Sequence, residues 1–143
     1  MRALGLRGAA WLATVLVLAL GAFQLRDLLV ETEDGTYSWD PAIGTLSIDA
    51  GDGVRIALDL TGGEAAATWH SRVLLARATV SESGTGRLVV RCEAPTPISR
   101  CAVWLSVFAG APGVSLEVIQ RPGAIVTGDT TDSRVTIVRP NVP

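Results

Sequence analysis

Lysine is absent from the 143 residues, and histidine and asparagine occur once each, as His70 and Asn141. Without lysine, Schiff-base and lysine general-base chemistry are excluded. The reliance on arginine reads as the codon usage of a GC-rich genome and not as a physical device. Cysteine occurs only as Cys92 and Cys101. A zinc site built on them would need two further ligands, and the lone histidine has no spaced partner. A redox pair would sit as C-x-x-C at a helix start, which this is not. No G-x-S-x-G surrounds Ser71 or Ser81. Basic runs are missing as well. From Asp27 onward nine arginines stand against fourteen acids, a net charge of −5, so nucleic acid is not an expected partner.

Long hydrophobic runs are absent except for one. Arg2 and Arg7 precede an uncharged stretch from Gly8 to Leu25, closed by Arg26 and Asp27. Its 18 residues would make a helix of roughly 27 Å. The sequence reading is therefore a single transmembrane signal-anchor at 8–25 that contacts the bilayer, with a cleaved signal peptide as the competing reading. The positive flank predicts a cytoplasmic N-terminus over 1–7. A juxtamembrane linker over 26–39, an exported β domain over 40–139 and a tail over 140–143 would follow.

Beyond that run the periodicity is two. In "VRIALDL" (54–60), Val54, Ile56, Leu58 and Leu60 share one face. The same alternation appears at 44–48, 72–80, 87–92, 101–108, 114–118, 124–127 and 134–138, separated by glycine, proline and aspartate turns. Eight or so strands at this spacing predict an all-β domain, a small β-solenoid or β-sandwich-like fold behind a single N-terminal transmembrane helix. Gly53 with Val54, Ile56 and Leu58 is echoed by Gly113 with Val114, Leu116 and Val118, sixty residues on. That spacing is open to a repeat reading and to coincidence.

Alternation places Cys92 with Leu88 and Val90, and Cys101 with Val103 and Leu105, on the apolar side of two strands joined by "EAPTPISR". The expectation is that these strands pair antiparallel and that a disulfide staples them outside the cytoplasm. His70, in phase with Leu74 and Ala76, reads as an edge or turn residue more readily than as a general base. Asp49, Asp52, Asp129 and Asp132 could ligate calcium, but aspartate with glycine is also ordinary β-turn composition. No catalytic, cofactor-binding or metal-binding residue is expected. Trp104 and Phe108 share the strand face opposite Cys101, which makes them either packed core or a partner surface.

The ordered combination over roughly 40–138 resembles the bacterial putative-adhesin family of exported β-repeat proteins. The resemblance is carried by "RLVVRC", a loop, and then "CAVWLSVFAGAPGVSLEVIQRPGAIVTGD", with Pro112-Gly113-Val114, Leu116, Val118, Gly123, Ile125 and Gly128 at the family's turn and strand positions. Pro122-Gly123-Ala124 replaces the family's Ser-Gly-Asp turn. The resemblance implies a solenoid-like body without a catalytic centre, acting as a structural or binding module at the cell envelope, with an envelope protein or glycan as partner. The alternative reading is an accessory subunit of a larger membrane complex, docked through the 8–25 segment and the β surface. An envelope hydrolase built on some pair of the acids is a third.

Overall fold

The structure, a computed structural model, describes residues 2–140, with side chains for all of these except 2–6, 23 and 25–28. It falls into two units, Met1–Val30 and Glu31–Pro143. The first is helix α1 (Arg2–Leu29), which alanine and leucine favour and no proline interrupts. Its apolar side chains Trp11, Leu12, Val15, Leu16, Val17 and Leu18 are exposed.

The expected transmembrane signal-anchor is corrected here. Among the described residues no helix is long and apolar enough to cross a membrane. Side chains at positions 23 and 25 of the expected span are not among those described. A single-pass membrane location with a cytoplasmic N-terminus, and bilayer contact through 8–25, are therefore not supported.

The second unit is built from ten strands: β1 (Val30–Ser38), β2 (Thr45–Ala50), β3 (Val54–Asp59), β4 (Ala66–Leu74), β5 (Arg77–Glu82), β6 (Arg87–Glu93), β7 (Arg100–Phe108), β8 (Ser115–Gln120), β9 (Ile125–Gly128) and β10 (Val135–Val138). They form two mixed five-stranded sheets. Sheet A has the order β1-β4-β7-β3-β9, and sheet B the order β10-β8-β2-β6-β5. Pairing is parallel through β7-β3-β9 and through β10-β8-β2-β6, whereas β4 on β7 and β5 on β6 are antiparallel. Each pair β2–β3, β6–β7 and β8–β9 thus runs from sheet B to sheet A and stacks on the next such pair. The chain lays down the middle coil first, then the coil on one side, then the coil on the other.

The alternation read from the sequence supplies the core between the sheets. Leu46, Ile48 and Ala50 of β2, Val54, Ile56 and Leu58 of β3, Leu88 and Val90 of β6, Val103, Leu105 and Val107 of β7, and Leu116 and Val118 of β8 are all buried. Two segments differ from the sequence reading. The expected linker at 26–39 holds β1, whose charged "ETEDG" hides its period, as befits an edge strand. The run 72–80, read as one strand, turns at Leu75 between β4 and β5. Leu75 adopts φ 49° there, with neither glycine nor proline to mark the corner.

Register explains the cysteines. Ser47 pairs with Arg87 across β2/β6, an offset of 40, whereas Val54 pairs with Val103 across β3/β7, an offset of 49. The corner between β6 and β7 therefore holds nine residues more than its neighbour. Cys92 and Cys101, nine apart in sequence, are disulfide-bonded across the base of that excess, with Cα atoms 5.8 Å apart. The expected antiparallel pairing of their two strands is corrected: β6 and β7 lie in different sheets. The disulfide rests on the corner below it. A Cβ on Gly53 (φ 80°) would lie 2.9 Å from the Cys101 carbonyl oxygen and 3.4 Å from Cys92 Sγ. Gly123 (φ 86°) is in turn pressed on Asp52, where a Cβ would overlap the carboxylate.

The same register revises the sequence echo. Thr45 pairs with Ser115 and Arg55 with Ile125, so the true period between these coils is seventy. Gly53 corresponds to Gly123. Gly113 instead leads into β8, in the other sheet.

Replacing both cysteines with serine is expected to lower unfolding free energy by about 2–3 kcal/mol, the value of closing a loop of this length. Urea unfolding of the oxidised wild type and the double variant measures it.

Candidate functional site

Strand alternation sends Thr68, His70 and Arg72 of β4, and Trp104, Ser106 and Phe108 of β7, to the outer face of sheet A. Antiparallel register sets His70 beside Trp104, and parallel register sets Arg55 on the other side of Trp104. Trp104 is 40% exposed, unusual for the largest apolar side chain of a small domain. The imidazole of His70 stacks on it, with ring centroids 5.6 Å apart and planes inclined by 29°. Asp34, from the edge strand β1, accepts a hydrogen bond from His70 Nδ1. The carboxylate thereby fixes the ring's orientation and leaves Nε2 on the far side.

On the core side of the same strands an absent side chain lets β1 approach β4. The Trp69 indole lies over Gly35 so closely that any Cβ there would collide with it. With Asp34, Thr36, Thr68, His70, Trp104 and Ser106, these residues line an open hollow of about 440 Å³. Donors and acceptors of several kinds therefore surround one exposed ring. A hollow of about 610 Å³ lies over Glu31, Glu33, Ser71 and Arg77 but has no aromatic lining.

The structure thus separates the two residues grouped as a partner surface. Trp104 and Phe108 do share the outer face of sheet A, but Phe108 is half-buried beside Ala66 and Asp59 and does not line the hollow. Asp34 and the orienting role of His70 were missed by sequence reasoning. The two residues are 36 apart, and β1 carried no strand signal. Ser71 follows His70 but points to the opposite side, where its Oγ donates to the Glu33 carbonyl. Among the described residues no hydroxyl or thiol is hydrogen-bonded to His70 Nε2.

Sheet B carries a second charged group. The Asp49 side chain is 2% exposed and is gripped by three arginines. Arg121 bonds both carboxylate oxygens at 2.8 and 3.0 Å, Arg91 approaches Oδ2 at 2.9 Å, and Arg87 stands at 3.5 Å. Arg91 also donates to the carbonyls of Asp49 and Val90. Hydrogen bonding from Arg121, reinforced by Arg91, holds the Asp49 carboxyl well below the ordinary carboxylate range against the opposing effect of burial. Two of the loop acids are also engaged. Asp129 Oδ2 accepts from the Leu60 amide, and Arg134 holds Asp132 down to about 2. No group of three or more histidine, cysteine or acidic side chains among the described residues could hold a metal ion.

Asp49 joins three coils, because its partners come from β6 and from the turn after β8. Asp49→Ala is expected to cost roughly 2–3 kcal/mol, less than a fully buried pair because the arginines reach water. Its folded pKa lies below the unfolded value of about 3.9, so the ionised group stabilises above that pH. That contribution disappears as pH falls below it. The gap in thermal midpoint between wild type and variant should be full at pH 7 and shrink steadily from about pH 4 to pH 2.

No protein-family model matches the chain, and no curated protein matches it. Among solved structures it has a distant likeness to the crystal structure of a "putative cell adhesion protein" from Clostridium sporogenes ATCC 15579, at 9% identity and a TM-score of 0.42. The alignment covers 76% of this chain and 56% of that one, so this chain spans little more than half of that protein's length.

Proposed function

We propose that the β unit is a non-catalytic, adhesin-like binding module whose recognition surface is the hollow around Trp104 on sheet A, and that its ligand is a carbohydrate. The observation that carries this is the exposed, pre-oriented Trp104 ring. One face of a pyranose is lined by C–H groups and stacks on an indole, while its hydroxyls need mixed donors and acceptors at the rim. Asp34, Thr36, Thr68, His70 and Ser106 supply that rim, and the mixed sheet beneath, antiparallel between β4 and β7, holds their spacing.

A hydrolytic reading of the Asp34–His70 pair has less behind it. Such a pair serves a nucleophile or a water held at the second ring nitrogen. The neighbouring hydroxyl of Ser71 is on the wrong side of the strand. Trp104, and not a hydroxyl, is what His70 packs against.

Soluble oligosaccharides titrated against the full chain should quench or shift tryptophan fluorescence, and Trp104→Ala should weaken binding at least tenfold. Because the ring is partly exposed and packs mainly on His70, its truncation should cost only about 1 kcal/mol, a fall of roughly 4 °C in thermal midpoint, so the variant stays folded. Unchanged affinity in Trp104→Ala, or no binding across neutral and acidic oligosaccharides, would remove the proposal.

A further inference from the structure

Among the described residues two cations on this face, Arg72 and Arg55, make no side-chain hydrogen bond or salt bridge, and of the two Arg55 is the one directly across the ladder from Trp104. It lies on the outer face of β3 in direct register with Trp104, one interstrand step of about 4.8 Å away. Its neighbour on the other side is Ile125 of β9, and its same-face neighbour along the strand is Ala57. Among the described residues it makes no salt bridge and no side-chain hydrogen bond. The acid nearest along its strand, Asp59, is already occupied by the amide and hydroxyl of Thr61. On the opposite flank of Trp104, Asp34 is spent on His70.

The charge of this face also runs against that of the domain. From Asp27 onward the chain is acidic overall, with fourteen acids to nine arginines. Yet the outward strand positions of sheet A carry Arg55, Arg72 and Arg100 against Asp34 and Asp59. Arg100 is turned to the carbonyls of Pro97 and Ser99, which leaves Arg55 and Arg72 nearest the exposed ring.

Resting on the carbohydrate reading above, we infer that the ligand is an acidic sugar of the uronate type, with its ring on Trp104 and its carboxylate on Arg55. A pyranose is about as wide as one interstrand step. A carboxyl group at the ring's edge therefore falls over the neighbouring strand, where the five N–H donors of a guanidinium match it in a fork. On the other side, the His70–Asp34 pair faces the hydroxyl-bearing edge. The arrangement gives the site a direction, cationic at β3 and anionic at β1.

The test uses the full chain and two probes of equal length, oligogalacturonate and its neutral galactose counterpart, titrated at low and at physiological ionic strength. Wild type should bind the uronate at least tenfold more tightly than the neutral oligomer, with the difference shrinking as salt rises. Arg55→Gln should abolish that preference and leave the neutral affinity and thermal midpoint unchanged, and Arg55→Lys should restore part of it. A preference that survives in Arg55→Gln, or equal binding of both probes by wild type, overturns the acidic-sugar assignment. In either case a tenfold loss in Trp104→Ala would keep the carbohydrate surface itself. Failure of both probes to bind overturns the two readings together.

Discussion

Parallel register is the constraint on which the rest of this domain depends, and Asp49 is where side chains enforce it. A parallel ladder has no hairpin turn to set its alignment, so side chains and corners must do so. One carboxylate in β2 is held by arginines from β6 and from the turn after β8, so three coils are tied at a single point. Burial of an isolated carboxylate would be strongly unfavourable, and three guanidinium groups remove that penalty only when the coils are aligned. A shift by one residue would take Asp49 off the outer face and drive it into the apolar layer of Leu46, Ile48 and Ala50. The cluster thus penalises wrong registers more than it strengthens the right one.

The proposed recognition surface is a consequence of that alignment. Trp104 lies between His70 and Arg55 only because β7 pairs antiparallel with β4 on one side and parallel with β3 on the other. No stretch of sequence brings these three residues together. The ring, its cation and its orienting imidazole come from strands laid down out of spatial order, the middle coil first and the flanking coil later. Such a surface is assembled by topology, and it inherits the stiffness of the two-sheet core beneath it.

This ordering also accounts for what could be read from sequence. Strands whose inward face is uniformly aliphatic, such as β3, β7 and β8, announced themselves, with boundaries within a residue or two of those observed. The edge strand β1 did not, because "ETEDG" has no apolar alternation to detect. The corner at Leu75 was hidden because a leucine takes the left-handed conformation usually left to glycine. The cysteines were recognisable as a bridge, but their strands were assigned to one hairpin when they occupy two sheets. Trp104 was legible only as a residue on the strand face opposite Cys101, with packed core and partner surface both open. Its partners Asp34, His70 and Arg55 were not, since lateral contacts depend on strand order and strand order left no local trace. The apolar N-terminal run suggested a membrane span that the described helix does not provide.

The disulfide and the surface are finally one problem. The corner between β6 and β7 carries nine residues more than the equivalent corner of the middle coil, and such an excess could be absorbed by letting β7 slide. A slide of one residue would reverse the two faces of β7, turning Trp104 inward and Leu105 outward. Closing the excess at its base between Cys92 and Cys101, with Ser99 bonded to the Leu75 carbonyl across the loop, removes that freedom. The bridge ends three residues before Trp104, and it rests on Gly53, two residues before Arg55. Both halves of the proposed carboxylate site are therefore spaced from one covalent point. The staple holds the core closed, and by the same geometry it sets the tryptophan beside its arginine.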